Sequence, residues 1–266
     1  MRKSTIGIVI LSIIFAGMII PMGFSGQASD SVVITYGETT YANSDYKNDV
    51  DTFFKNQANI DLGNANSKVI TASEVNKIAK NITGKTYGSN QIFSSALVDL
   101  NDNEDLKVSV DKSKITTITG DMYISALKSV GITSGHVYVT SPVTATGESA
   151  LTGVMNCYEE ATNVEIPEDI KEAANDEIFT EAEIVENSNV SADELSDLVD
   201  DVKEKVKEDN ITDHQTIVNI INNYTIINNI NITDSDIENL ANTIEKLQNL
   251  QSDIDDYESQ VSDVLN

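Results

Sequence analysis

Residues 136–158 read His136-Val137-Tyr138-Val139-Thr140-Ser141-Pro142-Val143-Thr144-Ala145-Thr146-Gly147-Glu148-Ser149-Ala150-Leu151-Thr152-Gly153-Val154-Met155-Asn156-Cys157-Tyr158, and two different periods lie side by side in them. From His136 to Thr140 the side chains alternate, with Val137 and Val139 on one face and His136, Tyr138 and Thr140 on the other, which is the period of a strand. From about Glu148 to Glu160, Ala150, Leu151, Val154, Met155 and Tyr158 recur at helical spacing. A strand feeding a helix is the unit of a mixed fold, and the rest of the chain repeats the pattern.

On the N-terminal side, Val32 to Thr35 predicts a short strand, Tyr46 to Gln57 a helix, and Val69-Ile70 a second strand. Thr71-Ala72-Ser73-Glu74 is a capping box, in which hydroxyl and carboxylate satisfy free amides at a helix start. Ile92 to Leu100 and Leu106 to Val110 are two apolar runs separated by residues 101–105, which predicts a hairpin. A strand is expected over Ile115 to Thr119 and a helix over Asp121 to Val130. On the C-terminal side everything after Glu159 reads helical. Thr180-Glu183, Ser191-Glu194 and Thr212-Gln215 carry further capping boxes, and a final helix runs from about Ser235 to Leu265. Its Ile237, Leu240, Ile244, Leu247, Leu250 and Ile254 approach a heptad seam, which either closes a helical hairpin within the chain, the favoured reading, or pairs with another copy. Ile217 to Ile232 is apolar on nearly every face and must be buried or lie at an interface.

The expected fold class is therefore α+β, a small mixed sheet covered by helices, followed by an acidic all-helical region. Charge draws the same division. Of 17 basic and 43 acidic residues, net −26, only 5 bases and 29 acids follow Tyr158. The expected units are 1–28, 29–158 and 159–266. Nucleic acid is excluded as a partner, since its phosphates would meet no basic stripe and a strongly acidic second part. The acidity itself reads as solubility outside the cell, with a surface for cations or a cationic partner as the sharper alternative.

The start of the chain supplies a destination. Met1-Arg2-Lys3 is cationic, Ile6 to Ile20 is unbroken apolar sequence, and Gly26-Gln27-Ala28 offers small residues where a signal peptidase cuts. A cleaved signal is the favoured reading. The alternative is an uncleaved transmembrane anchor, in which case the membrane is touched through this segment alone. The expected location is extracellular or at the cell surface. Cys157, the single cysteine, forms no internal disulfide and is placed on the inner side of its helix as an inert thiol.

Catalytic motifs are sparse. Gly84-Lys85-Thr86 lacks the glycine and the leading strand of a phosphate loop, and Gly147-Glu148-Ser149-Ala150-Leu151 lacks the second glycine of a nucleophile elbow. Two histidines leave little acid–base machinery near neutral pH. Asp99, Asn101, Asn103 and Asp105 alternate as the first ligands of a calcium loop do, but Glu104 replaces the turn glycine and Val110 the closing glutamate, so no cofactor is assigned beyond a weak calcium candidate. The most site-like place is the connection Ser141 to Gly147, where Ser141, Thr144 and Thr146 meet a helix start, with His136 and Tyr138 on the adjoining strand. Such a geometry suits a carboxylate, phosphate or sugar, and capping by Thr146 is its plainer explanation. Asn81, Asn189, Asn210, Asn223 and Asn231 each begin a glycosylation acceptor triplet.

Ile118-Thr119-Gly120-Asp121-Met122-Tyr123, Ala126-Leu127, Val130-Gly131-Ile132, His136 to Pro142, Gly147 and Ala150-Leu151-Thr152-Gly153 together resemble the YpuA-like secreted proteins of Gram-positive bacteria and methanogenic archaea, domain of unknown function family 1002. The similarity is sharp from Ile118 to Glu159 and looser back to Val32 and forward to about Glu186. Thr39 stands where family members often carry leucine. The resemblance implies an exported helix-and-sheet domain and brings no reaction, cofactor or catalytic residue. The resulting expectation is a non-catalytic binding or structural protein at the cell envelope or outside the cell, with an envelope glycan or protein as partner. A carboxylate-dependent envelope hydrolase and an oligomeric surface scaffold are the alternatives.

Overall fold

The computed structural model describes residues 31–82, 86–101 and 105–265. The export segment 1–28, part of Gly84-Lys85-Thr86, and Asn103 of the acidic loop lie outside them. In chain order the elements are β1 (Val32–Gly37), α1 (Glu38–Ala42), α2 (Ser44–Ala58), β2 (Asn66–Ile70), α3 (Ala72–Ile82), β3 (Ser95–Asp99), β4 (Lys107–Val110), α4 (Gly120–Lys128), β5 (His136–Thr140), α5 (Ser149–Thr162), α6 (Glu168–Asn187), α7 (Ala192–Glu208), α8 (His214–Asn228), α9 (Asp234–Asn249) and α10 (Gln251–Leu265). The architecture is α+β, with one mixed sheet and a helical C-terminal region.

The sheet order is β2-β1-β3-β5-β4. β1 and β3 are antiparallel, as are β3 and β5, while β2 runs parallel to β1 and β4 parallel to β5. The two parallel pairs need crossovers, and helices supply them: α1 and α2 between β1 and β2, α4 between β4 and β5. The expected hairpin of residues 92–110 is therefore corrected. β3 and β4 do not pair; β5 lies between them, and Asp105, ahead of β4, bridges Ser134, ahead of β5. Apolar runs specify that strands form, but pairing went to the more buried neighbour.

That neighbour is β5, covered on both faces. Val137 and Val139 join the main core with α4, α5 and α6, while Tyr138 packs with Tyr36, Leu97 and Phe54 under α2. Tyr138 is 7 % exposed, so the side assigned to polar groups is itself roofed. Ile115 makes one isolated bridge to Ala145 rather than the strand expected over 115–119.

Local signals hold at several helix starts and fail at others. Thr71 and Glu74 exchange bonds as a capping box, and Ser191 with Glu194 does the same. Thr180 starts nothing, because α6 runs through it without interruption. Asp213, not Thr212, caps α8 by accepting from the Thr216 amide. The final helix is two, broken at Leu250, and α9 opens on an unanticipated capping box of Thr233 and Asp236.

The compositional break at Glu159 falls inside α5, and packing ignores it. Ile170, Ala173, Ile178, Tyr257 and Val261 complete the same core as Val33, Val137 and Leu151. A second, smaller core of Leu195, Val199, Val202, Ile217, Ile221, Leu240 and Ile244 lies among α7, α8 and α9. Leu240, Leu247 and Ile254 are 2, 6 and 3 % exposed within the single chain, so that seam is used internally. Ile226 and Ile227, by contrast, stand exposed at the end of α8.

Close approach of α5 to the sheet depends on Gly153, where an added Cβ would lie 2.5 Å from Thr35 Oγ1. Thr35 is buried and cannot swing away. Gly153→Ala is expected to cost about 1 to 3 kcal/mol by overpacking, read as a lowered midpoint in chemical unfolding; an unchanged midpoint would show that α5 can lift without cost.

Candidate functional site

The residues expected to share one site are divided by the fold. His136 opens β5 and Ser141 follows its end, so at about 3.3 Å per residue they are roughly 16 Å apart. His136 stacks on Tyr138 with centroids 4.1 Å apart, and its Nε2 lies 2.9 Å from Ser109 Oγ. Its Nδ1 lies 3.0 Å from Tyr138 Oη. This is a satisfied imidazole on the strand facing α2. Ser141 is buried, and its Oγ makes no hydrogen bond among the described residues.

Thr144 and Thr146 belong elsewhere, in a cleft of about 210 Å³ shared with Tyr87, Gln91 and Phe93. Capping by Thr146 does not occur: its hydroxyl donates to the Glu148 carboxylate, and the residue preceding α5 makes no side-chain cap. A buried carboxylate at this helix start occupies the place suggested for an anion. In the acidic loop, Asp99 Oδ1 accepts from the Asn101 amide at 2.9 Å and from its Nδ2 at 2.8 Å, and Asp105 pairs with Ser134. Among the described residues no three histidine, cysteine or acidic side chains gather at metal-binding spacing. Cys157 is fully buried, its Sγ 3.4 Å from the Val33 carbonyl, and burial pushes its thiol up to about 12, the reverse of what a nucleophile needs.

The strongest constellation was not singled out from the sequence. Glu177 and Glu181, one turn apart on α6, are both 0 % exposed. Lys203 of α7 reaches in, its Nζ 2.7 Å from Glu177 Oε1 and 3.2 Å from Asp200 Oδ1. It also donates to Ser125 Oγ at 2.6 Å and Ser129 Oγ at 2.7 Å on the α4 side. Ser125 Oγ, with one proton to donate, lies 3.0 Å from Glu177 Oε1 and 2.5 Å from Asp200 Oδ1. Three helices are thus tied through one ammonium. Burial works against that charge, but Glu177 and Asp200 outweigh it and hold the lysine pKa above its ordinary value. A lysine so held keeps its proton, the reverse of what the base of a serine–lysine pair needs.

Glu181 differs from its partner. Burial, and next the charge of Glu177, raise its pKa well above the carboxylate range, and neither of its oxygens accepts a bond among the described residues. Glu177 Oε2, one turn away, likewise has no hydrogen-bond partner among the described residues. The signal was legible in the spacing: Ile170, Ala173, Ala174, Glu177, Ile178, Glu181 and Ile184 form one inward stripe of α6 once the helix is read through Thr180. A cleft of about 440 Å³ lies beside the network, lined by Ser125, Ser129, Asp200 and Lys203 and floored by Val206, Ile244, Leu247 and Ile254. The two glutamates do not line it.

A proton bound by Glu181 in the folded state and lost on unfolding makes stability fall as pH rises from the ordinary carboxylate range through the raised pKa. A glutamine in its place carries no such proton. The stability of Glu181→Gln relative to the parent is expected to grow as pH rises above the ordinary carboxylate range, by up to about 1.4 kcal/mol per pH unit; a difference independent of pH, measured by urea unfolding, would contradict the assignment.

Comparison with known proteins follows the same outline. A family model described as a protein of unknown function, DUF1002, matches residues 36–264, which include all of the sheet but the first part of β1, the buried network and the C-terminal helices. An uncharacterized protein, YpuA, of Bacillus subtilis (strain 168) is 29 % identical over 270 residues, covering all of this chain and 87 % of its relative. No solved structure matches. With nearly the whole described chain inside the match, acidic helices included, this protein belongs to the DUF1002 family.

Proposed function

We propose that this chain is an exported, non-catalytic binding or structural protein that works at the cell envelope or outside the cell. The export reading is supported by the cationic, apolar and small-residue order of residues 1–28. Among the described residues no helix is long and apolar enough to cross a membrane.

The observation that carries the non-catalytic part is the placement of Glu177 and Glu181. A hydrolase of the carboxylate type needs two nearby acids, one of them with a raised pKa, and Glu181 beside Glu177 offers such an acid. Such an acid must also come within hydrogen-bond reach of the bond it cleaves. Here Lys203, Asp200 and Ser125 stand between the pair and the adjacent cleft, and both glutamates are sealed. The imidazoles are equally committed: His136 to Ser109 and Tyr138, His214 to Glu238 and Glu245 at 2.9 Å each.

The test is incubation of the purified mature chain with isolated envelope of its source organism. Sedimentation with the envelope and no release of soluble fragments is expected. Fragment release that Glu181→Gln abolishes would overturn the non-catalytic reading, and recovery of the full-length chain from cytosol with Met1 intact would overturn export.

A further inference from the structure

We propose that the groove between α7 and the end of α8 docks a basic, amphipathic segment of another protein, an inference that names a partner class for the binding role above and rests on it. The groove, about 480 Å³, has two unlike walls. α7 contributes Glu194, Asp197, Asp200 and Asp201; the end of α8 contributes Asn228 and Ile230. Among the carboxylates, Glu194 is engaged with Ser191, and Asp200 with Ser125 and Lys203. Asp197 and Asp201, one turn apart, form no ion pair among the described residues. They are spaced to meet two cations four residues apart on a facing helix.

The other wall adds to the attraction, and its Ile230, with Leu198 of α7, gives the groove an apolar side. α8 ends at this groove with an αL residue, Asn229, and no basic residue in its last turn, so the negative end of its dipole is uncompensated there. Next to the groove, outside its lining, the last turn of α8 also bears Ile226 and Ile227, 76 and 77 % exposed, the two most exposed large apolar side chains among the described residues. From Gln215 to Thr233 no residue is charged, so an apolar side chain can settle on this edge without desolvating an ion. A cationic row with leucine-like residues beside it satisfies both walls at once.

Other occupants fit less well. A metal ion would use the carboxylates alone, and they do not cluster at ligand spacing among the described residues. An anionic lipid surface would be repelled by the acidic wall. A second copy would bring its own net charge of −26.

The experiment is fluorescence anisotropy with a labelled synthetic helix bearing lysines four residues apart on one side and leucines on the other. Its control is a peptide of equal charge with serine for leucine. Binding by the intact chain that weakens with salt is expected. Asp197→Asn with Asp201→Asn, and separately Ile226→Ser with Ile227→Ser, are each expected to weaken it about tenfold, the loss typical of interface anchors. Unchanged thermal unfolding would show both variants folded. Equal binding of both peptides, or unchanged affinity in either double variant, overturns the proposal. Envelope retention measured with the same variants separates the two readings: retention without peptide binding discards the groove alone, whereas peptide binding without retention by the parent chain discards the envelope role alone.

Discussion

One half-buried ammonium governs how this protein is assembled. Lys203 is drawn out of water by Glu177, accepted by Ser125 and Ser129, and steadied by Asp200, so α4, α6 and α7 are fastened at a single point. Removing charges from water is costly, and the arrangement survives because every donor of the lysine has an acceptor and because Glu181 surrenders its charge rather than adding a second bare carboxylate. The same restriction fixes register. A hydrophobic contact tolerates sliding by part of a turn, but a lysine bonded to two serines and a glutamate does not.

This fastening explains why composition and packing disagree. Charge changes abruptly at Glu159, yet the near-neutral part supplies Ser125 and Ser129 to the network, and the acidic part supplies the glutamates and the lysine. α6 then continues the apolar core of the sheet through Ile170, Ala173 and Ile178, while Ile184 opens the second core. Apart from Glu177 and Glu181, the acidity of the second part lies mostly on the outer faces of its helices. The consequence is that Glu177 and Glu181 lie inside, while the exterior is charged and partly apolar.

Much of the fold was legible in local pattern. The alternation from His136 to Thr140, the stripe from Ala150 to Tyr158 and the boxes at Thr71 and Ser191 all correspond to elements, because each rests on contacts between residues close in the chain. Strand order was not, since β3 and β4 read as neighbours and only the burial of both faces of β5 places it between them. Thr180-Glu183 matched a capping box inside a helix that packing carried onward, and that false start concealed the inward spacing of Glu177 and Glu181. The expected site failed for a related reason. Residues 136–146 are contiguous in sequence, but an extended strand separates its two ends, so His136 and Thr146 serve different surroundings.

The most direct test of the fastening is calorimetry of the intact chain with Lys203→Met, which keeps the volume and removes the charge. Glu177 and Asp200 would lose their counter-ion while Glu177 stays buried, a change worth about 3 to 5 kcal/mol. The account requires a markedly lowered transition, with the α7–α9 core melting ahead of the sheet core. A single transition at the parent temperature would contradict it and leave apolar packing alone as the bond between the two parts.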